Sequence, residues 1–190
     1  MHISDYAFYY APGTCGNFIK VIFCYYLDDI TSRRMFKLLN DDNGRAHYDD
    51  EDHPTYHYLE DVPADKRIIT INYDKEDFPL INKMFYNKWW KQYALENWEE
   101  VRAKWDEIDT VSNLEEKQLI IHEQEWLEWP QKQDWDSMDL VINFKTILGH
   151  TSENLNSIIA LHLDKEISPL VDQFIEAYRN KQQELYGELF

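Results

Sequence analysis

The fold is decided near the start of the chain, where Tyr6-Ala-Phe-Tyr-Tyr10 runs into Ala11-Pro-Gly-Thr-Cys-Gly-Asn17 and then into the apolar stretch Phe18–Leu27. The first segment predicts a buried strand, and the last predicts a helix with Asn17 as its N-cap. A strand, a glycine-containing turn and a helix in this order are typical of a phosphate-binding loop. Successive backbone N–H groups in such a turn form a concave nest, to which the helix adds its positive end.

This turn differs from a Walker A loop, because it lacks the Gly-Lys-Ser/Thr ending that supplies a phosphate-binding lysine and a magnesium-binding hydroxyl. What remains for an anion is the nest of N–H groups, the Thr14 hydroxyl and the Asn17 amide. A plain tight connection between a strand and a helix explains the same residues, and the sequence leaves both interpretations open.

Strand and helix patterns alternate along the rest of the chain. Further strands are predicted at Thr55–Leu59, at Arg67–Tyr73 and within Asp139–Leu148, and helices at Ser32–Leu39, from Asp77, from Thr151 or Ser152, and from Ser168. Alternation of this kind predicts an α/β fold with three α/β/α layers and a mainly parallel sheet. We expect one domain over residues 1–190, with a helical insertion at about 80–130.

Composition limits the classes of partner. The chain holds 36 acidic against 19 basic residues, a formal net charge of −17, which opposes direct binding to nucleic acid or to an anionic membrane. Cys15 and Cys24 are the only cysteines, and their spacing does not suggest a disulfide framework. The first five residues lack the basic start of a signal peptide, so we expect a cytoplasmic protein.

The features that follow the turn resemble the sulfotransferase family. Pro54-Thr-Tyr-His57 precedes Leu59 and Pro63, then comes the strand Arg67–Tyr73, then Asp74-Lys-Glu-Asp77 and a helix. The resemblance is one of order and shape over most of the chain. It implies a P-loop fold of the type that binds nucleoside phosphates, with 3′-phosphoadenosine 5′-phosphosulfate as the donor of a sulfuryl group.

The resemblance also implies roles for individual residues. It makes His57 the general base and Lys20 a candidate for the cation on the leaving phosphate, with Lys83 and Lys88 as further candidates. The implied donor-binding residues are Pro12, Gly13, Thr14, Cys15, Gly16, Asn17, Asn72, Asn82 and Lys83. The chain departs from the family at Gly13, where lysine is usual, and at Asn72, where the arginine for the 3′-phosphate is expected. It also lacks the family's late Arg-Lys-Gly motif.

Two other patterns have plainer explanations. His47-Tyr-Asp-Asp-Glu-Asp-His53 offers imidazoles and carboxylates for a divalent metal, but a run of acids is usually a solvated, self-repelling surface, and we expect no metal there. The tryptophan-rich helical region around Trp89, Trp98 and Trp105 is better explained by packing than by base stacking. His57 itself also fits a half-buried strand histidine bonded to a neighbour.

The sequence therefore predicts a sulfotransferase-like protein that acts on an unknown small-molecule or glycan hydroxyl. Two alternatives stay open. One is a non-catalytic interaction protein on the same fold. The other is an acidic mimic of nucleic acid that binds a basic partner.

Overall fold

The computed structural model describes residues 1–11, 14–41, 46, 48, 55–85 and 128–187. Its strands are β1 (Tyr6–Tyr9), β2 (Thr55–Tyr56), β3 (Arg67–Asn72) and β4 (Leu140–Asn143). Its helices are α1 (Gly16–Tyr26), α2 (Ser32–Asp41), α3 (Phe78–Phe85), α4 (Phe144–Leu148), α5 (Leu155–His162) and α6 (Pro169–Tyr186). Several of the predicted features lie outside the described residues. These are most of the helical insertion, Pro12, Gly13, Lys88 and both histidines of the acidic run.

The four strands form one sheet in the order β2-β1-β3-β4, and every neighbouring pair is parallel. Phe8 of β1 pairs with Ile69 of β3, and Thr70 of β3 pairs with Val141 of β4. The β-branched run in β3 suits this central position, because branched side chains pack well on a pleated surface. The predicted α/β fold with a parallel sheet is confirmed.

Both faces of β1 are covered, since all four of its residues are buried. On one face the Tyr6 and Phe8 rings meet Phe23 of α1 edge to face, with centroids 5.4 and 5.3 Å away. On the opposite face Tyr9 lies 5.3 Å from the Trp129 ring, and its hydroxyl donates to Gln133 at 2.7 Å. The near-continuous apolar character of β1 in the sequence reflects this two-sided burial.

Helices α5 and α6 pack against α1. The Phe18 ring stacks on Tyr178 of α6 at 3.7 Å, and the hydroxyl of Tyr26, at the other end of α1, donates to Asn156 of α5. Helix α6 begins after Ser168 as predicted. The cap of α5 is Asn154 rather than Thr151 or Ser152, because the Asn154 side chain accepts the N–H of Ser157 at 2.8 Å. In the described part of the chain we find no helix with both the length and the apolar character needed to cross a membrane.

The strand order reverses its direction between the two central strands. The chain leaves β1 for β2 on one side and leaves β3 for β4 on the other, so the direction of winding reverses between β1 and β3. In open parallel sheets, ligands bind outside the carboxyl ends of the strands at such a reversal. The turn after β1 and the start of α1 lie at this point.

Candidate anion and base site

Helix α1 begins at Gly16, one residue earlier than predicted, and its N-cap is Cys15 rather than Asn17. The Cys15 carbonyl accepts the N–H groups of Phe18 at 3.0 Å and Ile19 at 3.3 Å, which starts the helical ladder. Asn17 instead lies inside the first turn. Its side-chain oxygen accepts a hydrogen bond from the Tyr10 hydroxyl at 3.0 Å.

The backbone of the turn has the geometry of a nest. Cys15 adopts the left-handed conformation, with φ 66° and ψ 21°, and helical Gly16 follows it. A left-handed residue next to a right-handed one turns successive N–H groups toward one side. The N–H groups of Gly16 and Asn17 belong to the first helical turn, where no intrahelical acceptor exists. For a residue with a Cβ, the left-handed conformation costs roughly 1–2 kcal/mol, which the surrounding packing must offset.

The side chains of Thr14 and Cys15 point inward. The buried Thr14 hydroxyl donates to the Ala11 carbonyl at 2.6 Å, which closes the turn. The buried Cys15 side chain contacts the Tyr178 hydroxyl, and burial together with this contact raises the pKa of Tyr178 well above its ordinary value. Thr14 and Cys15 therefore anchor the described part of the turn, and neither side chain is directed toward a ligand.

Gly16 is required by an aromatic ring. A Cβ built on Gly16 would lie 2.0 to 2.1 Å from three atoms of the Tyr10 ring. Tyr10 is itself only 5% exposed, so its ring cannot swing away without losing its own packing. The glycine in the turn thus has a structural reason that is independent of any phosphate.

His57 follows β2 directly and lies beside the turn. Its Nδ1 is 2.8 Å from the Tyr10 carbonyl oxygen, and its ring meets the Tyr10 ring edge to face at 5.7 Å. A carbonyl can only accept, so Nδ1 carries the proton and Nε2 of the neutral ring keeps its lone pair. The residue is exposed. His57 is thus bonded to a neighbour, as the plain interpretation expected, although it is exposed rather than half-buried.

The predicted cation Lys20 is held elsewhere in the fold. Its side chain is 2% exposed, and its Nζ donates to the Tyr48 carbonyl at 3.0 Å and lies 5.6 Å from the centre of the Tyr48 ring. Of the other predicted donor residues, Asn82 and Lys83 lie in α3, and Asn72 is the last residue of β3, paired in register with Asn143.

Sequence reasoning missed a lysine that follows the carboxyl end of a strand in the same sheet. Lys145, at the start of α4, places its Nζ 2.7 Å from Asp74 Oδ2 and 3.9 Å from Asp77 Oδ1. Burial raises the pKa of Asp77, while the N–H of Asp74 and the nearby Lys145 act in the opposite direction. The available signal was positional, because Asp74 and Lys145 each come two residues after the end of a parallel strand.

The segments that follow the carboxyl ends of the strands thus carry a left-handed turn before α1, an imidazole bonded to the Tyr10 carbonyl, and a lysine that bridges two carboxylates. Comparison of the chain with protein-family models, with curated proteins and with solved structures finds no match in any of the three. The function is accordingly inferred from the residues and geometry of the site.

Proposed function

We propose that this chain binds 3′-phosphoadenosine 5′-phosphosulfate at the Pro12–Asn17 turn and transfers its sulfuryl group to a hydroxyl acceptor. The observation that carries the proposal is His57, whose Nδ1 donates to the first residue after β1 at 2.8 Å and leaves Nε2 as a base beside the turn. The position of the turn, at the reversal of winding between β1 and β3, supports a ligand site there.

In the proposed reaction, Nε2 of His57 accepts the proton of the acceptor hydroxyl while that oxygen attacks sulfur. The bond between sulfur and the bridging oxygen breaks, and adenosine 3′,5′-bisphosphate leaves with the electron pair. The N–H groups of Gly16 and Asn17 would stabilise the negative charge of the 5′-phosphate, as donors aimed at developing charge do in other group transfers. Imidazole is the side chain that most often serves as a general base.

The leaving phosphate also needs a cation, and here the chain departs from the family it resembles. Gly13 stands in place of the usual lysine. The Lys20 ammonium is engaged with the Tyr48 carbonyl, and the Lys145 ammonium is engaged with Asp74 and Asp77. These engagements favour a second function, in which the chain binds a phosphate ester at the turn without transferring sulfate and acts as an interaction protein.

Two measurements separate these functions. Calorimetry with adenosine 3′,5′-bisphosphate tests the site, and adenosine without phosphate is the control. We expect binding of the bisphosphate alone. A transfer assay with labelled donor and a panel of neutral small-molecule and glycan hydroxyl acceptors then tests catalysis. Binding with no transfer to any acceptor would favour the interaction protein, and absence of binding at millimolar bisphosphate would reject both functions.

A further inference from the structure

Tyr10 touches both halves of the site. Its carbonyl accepts the Nδ1 proton of His57 at 2.8 Å, and its hydroxyl donates to Asn17 at 3.0 Å. Between these two ends its ring lies against Gly16, closely enough that a Cβ there would be 2.0 Å away. One residue thus contacts the base, the first helical residue and the side chain that follows it.

The backbone of Tyr10 is held as firmly as its ring. Its N–H donates to the Tyr56 carbonyl at 3.1 Å, which extends the pairing of β1 with β2 by one residue. Both polar groups of its main chain therefore face the end of β2, where His57 begins. The carbonyl orientation that fixes the imidazole proton follows from this pairing and from the ring clamped against α1.

We propose that Tyr10 is the positioning residue of this site: it fixes the proton of His57 on Nδ1 and couples the orientation of that ring to the anion-binding turn. The role in turnover rests on the proposed function, whereas the role in placing the proton does not. A ligand that binds the first turn of α1 and displaces Asn17 would also displace Tyr10, because the two residues are hydrogen-bonded. Tyr10 would pass this displacement to His57, whose ring it contacts.

The coupling follows from the packing. Since the Tyr10 ring has no free space toward Gly16, a small displacement of the first helical turn must displace the ring or break the bond to Asn17. Close-packed interiors transmit such displacements because they contain few voids that could absorb them. The ring of His57, in edge-to-face contact with Tyr10 at 5.7 Å, is the next group in line.

The test is nitrogen NMR of the full-length chain labelled at histidine, which distinguishes a protonated Nδ1 from a protonated Nε2. It compares the parent protein with Tyr10→Phe, which removes only the hydroxyl, and with Tyr10→Leu, which removes the ring. The matched control is Tyr9→Phe. It also loses one hydroxyl hydrogen bond, to Gln133, but on the opposite face of the sheet.

We expect a single Nδ1-protonated tautomer of His57 in the parent protein, in Tyr10→Phe and in Tyr9→Phe, and a mixture of tautomers in Tyr10→Leu. Adenosine 3′,5′-bisphosphate should shift the His57 signals of the parent protein and of Tyr9→Phe. In Tyr10→Phe this shift should shrink, because the hydrogen bond that links Tyr10 to Asn17 is lost. In Tyr10→Leu the sulfuryl turnover should be lower than in the parent protein, with KM changing less than kcat.

An Nε2-protonated His57 in the parent protein would overturn the proposal, as would an unchanged His57 spectrum in Tyr10→Leu. Equal effects of the Tyr9 and Tyr10 substitutions would also overturn it, because the role would then be general packing. If the parent protein binds no bisphosphate, the proposed function fails by itself, and the tautomer of His57 in Tyr10→Leu still decides whether Tyr10 places the proton.

Discussion

Replacing Asn17 with aspartate exchanges one amide group for a charged oxygen in the first turn of α1. The added negative charge should stabilise the folded protein but weaken the binding of an anion, so the two effects have opposite directions. The Tyr10 hydroxyl can still donate to the side-chain oxygen, so the local hydrogen bond stays. A negative charge in the first helical turn stabilises a helix by about 0.3–1 kcal/mol. A phosphate held by the N–H groups of Gly16 and Asn17 would lie within about one helical turn, about 5 Å, of the new carboxylate. At an effective dielectric constant of about 20, repulsion at that distance is about 3 kcal/mol per unit of phosphate charge.

The expected result is therefore a protein that is equally or more stable to urea and binds adenosine 3′,5′-bisphosphate at least about a hundredfold more weakly, since each 1.4 kcal/mol is about tenfold in affinity. Calorimetry and urea unfolding measure the two quantities. Asn154→Asp is the matched control, because it makes the same change at the N-cap of α5. That cap is near Asn156, which contacts Tyr26 at the far end of α1. Unchanged affinity in Asn17→Asp would refute an anion site at this turn.

Three further substitutions test the site and the fold. His57→Ala should lower sulfuryl turnover by about two to four powers of ten with little change in bisphosphate affinity, and an equal loss of affinity would argue against a base. Gly16→Ala should destabilise the fold by about 1–3 kcal/mol through overpacking against Tyr10. Helix propensity alone predicts a gain, and Tyr10→Leu in the same chain should recover part of the loss in urea unfolding. Burial, and then the nearby Arg67, lower the pKa of His162 in the folded protein. As the pH falls, the unfolded chain therefore binds this proton before the folded protein does. The neutral imidazole of His162 should contribute fully to the free energy of unfolding above about pH 6.5, and this contribution should be lost below that pH. His162→Gln should therefore reduce the dependence of the free energy of unfolding on pH in this range. An unchanged slope would assign the loss to other groups.

Much of the fold could be predicted because its signals are local. The apolar run of β1, the β-branched run of β3 and the Ser-Pro start of α6 each reflect a preference that the segment carries by itself. Alternation of strands and helices was enough to predict a parallel sheet, since parallel strands need crossover connections. The position of the turn between β1 and α1 could also be predicted. The order of strand, turn and helix is what suggested an anion site there.

The cap of α1 was predicted two residues too late, because sequence rules favour asparagine at an N-cap and give no signal for a left-handed cysteine. That conformation is fixed by contacts from outside the segment, including Tyr178 of α6. The same limit applies to Gly16, which looked like a phosphate-loop glycine and is required in the structure by the ring of Tyr10.

What the sequence determined by itself is the set of elements, their order and the location of the turn, because these depend on periodicity and on residues adjacent in the chain. Only the tertiary structure decided which nitrogen of His57 carries a proton, that the Lys20 ammonium is bonded to Tyr48, and that Lys145 bridges Asp74 and Asp77. Each of these depends on partners that lie between 28 and 71 positions apart in the chain. A hydrogen bond forms over about 3 Å in space, and only the folded chain brings such distant groups within that distance.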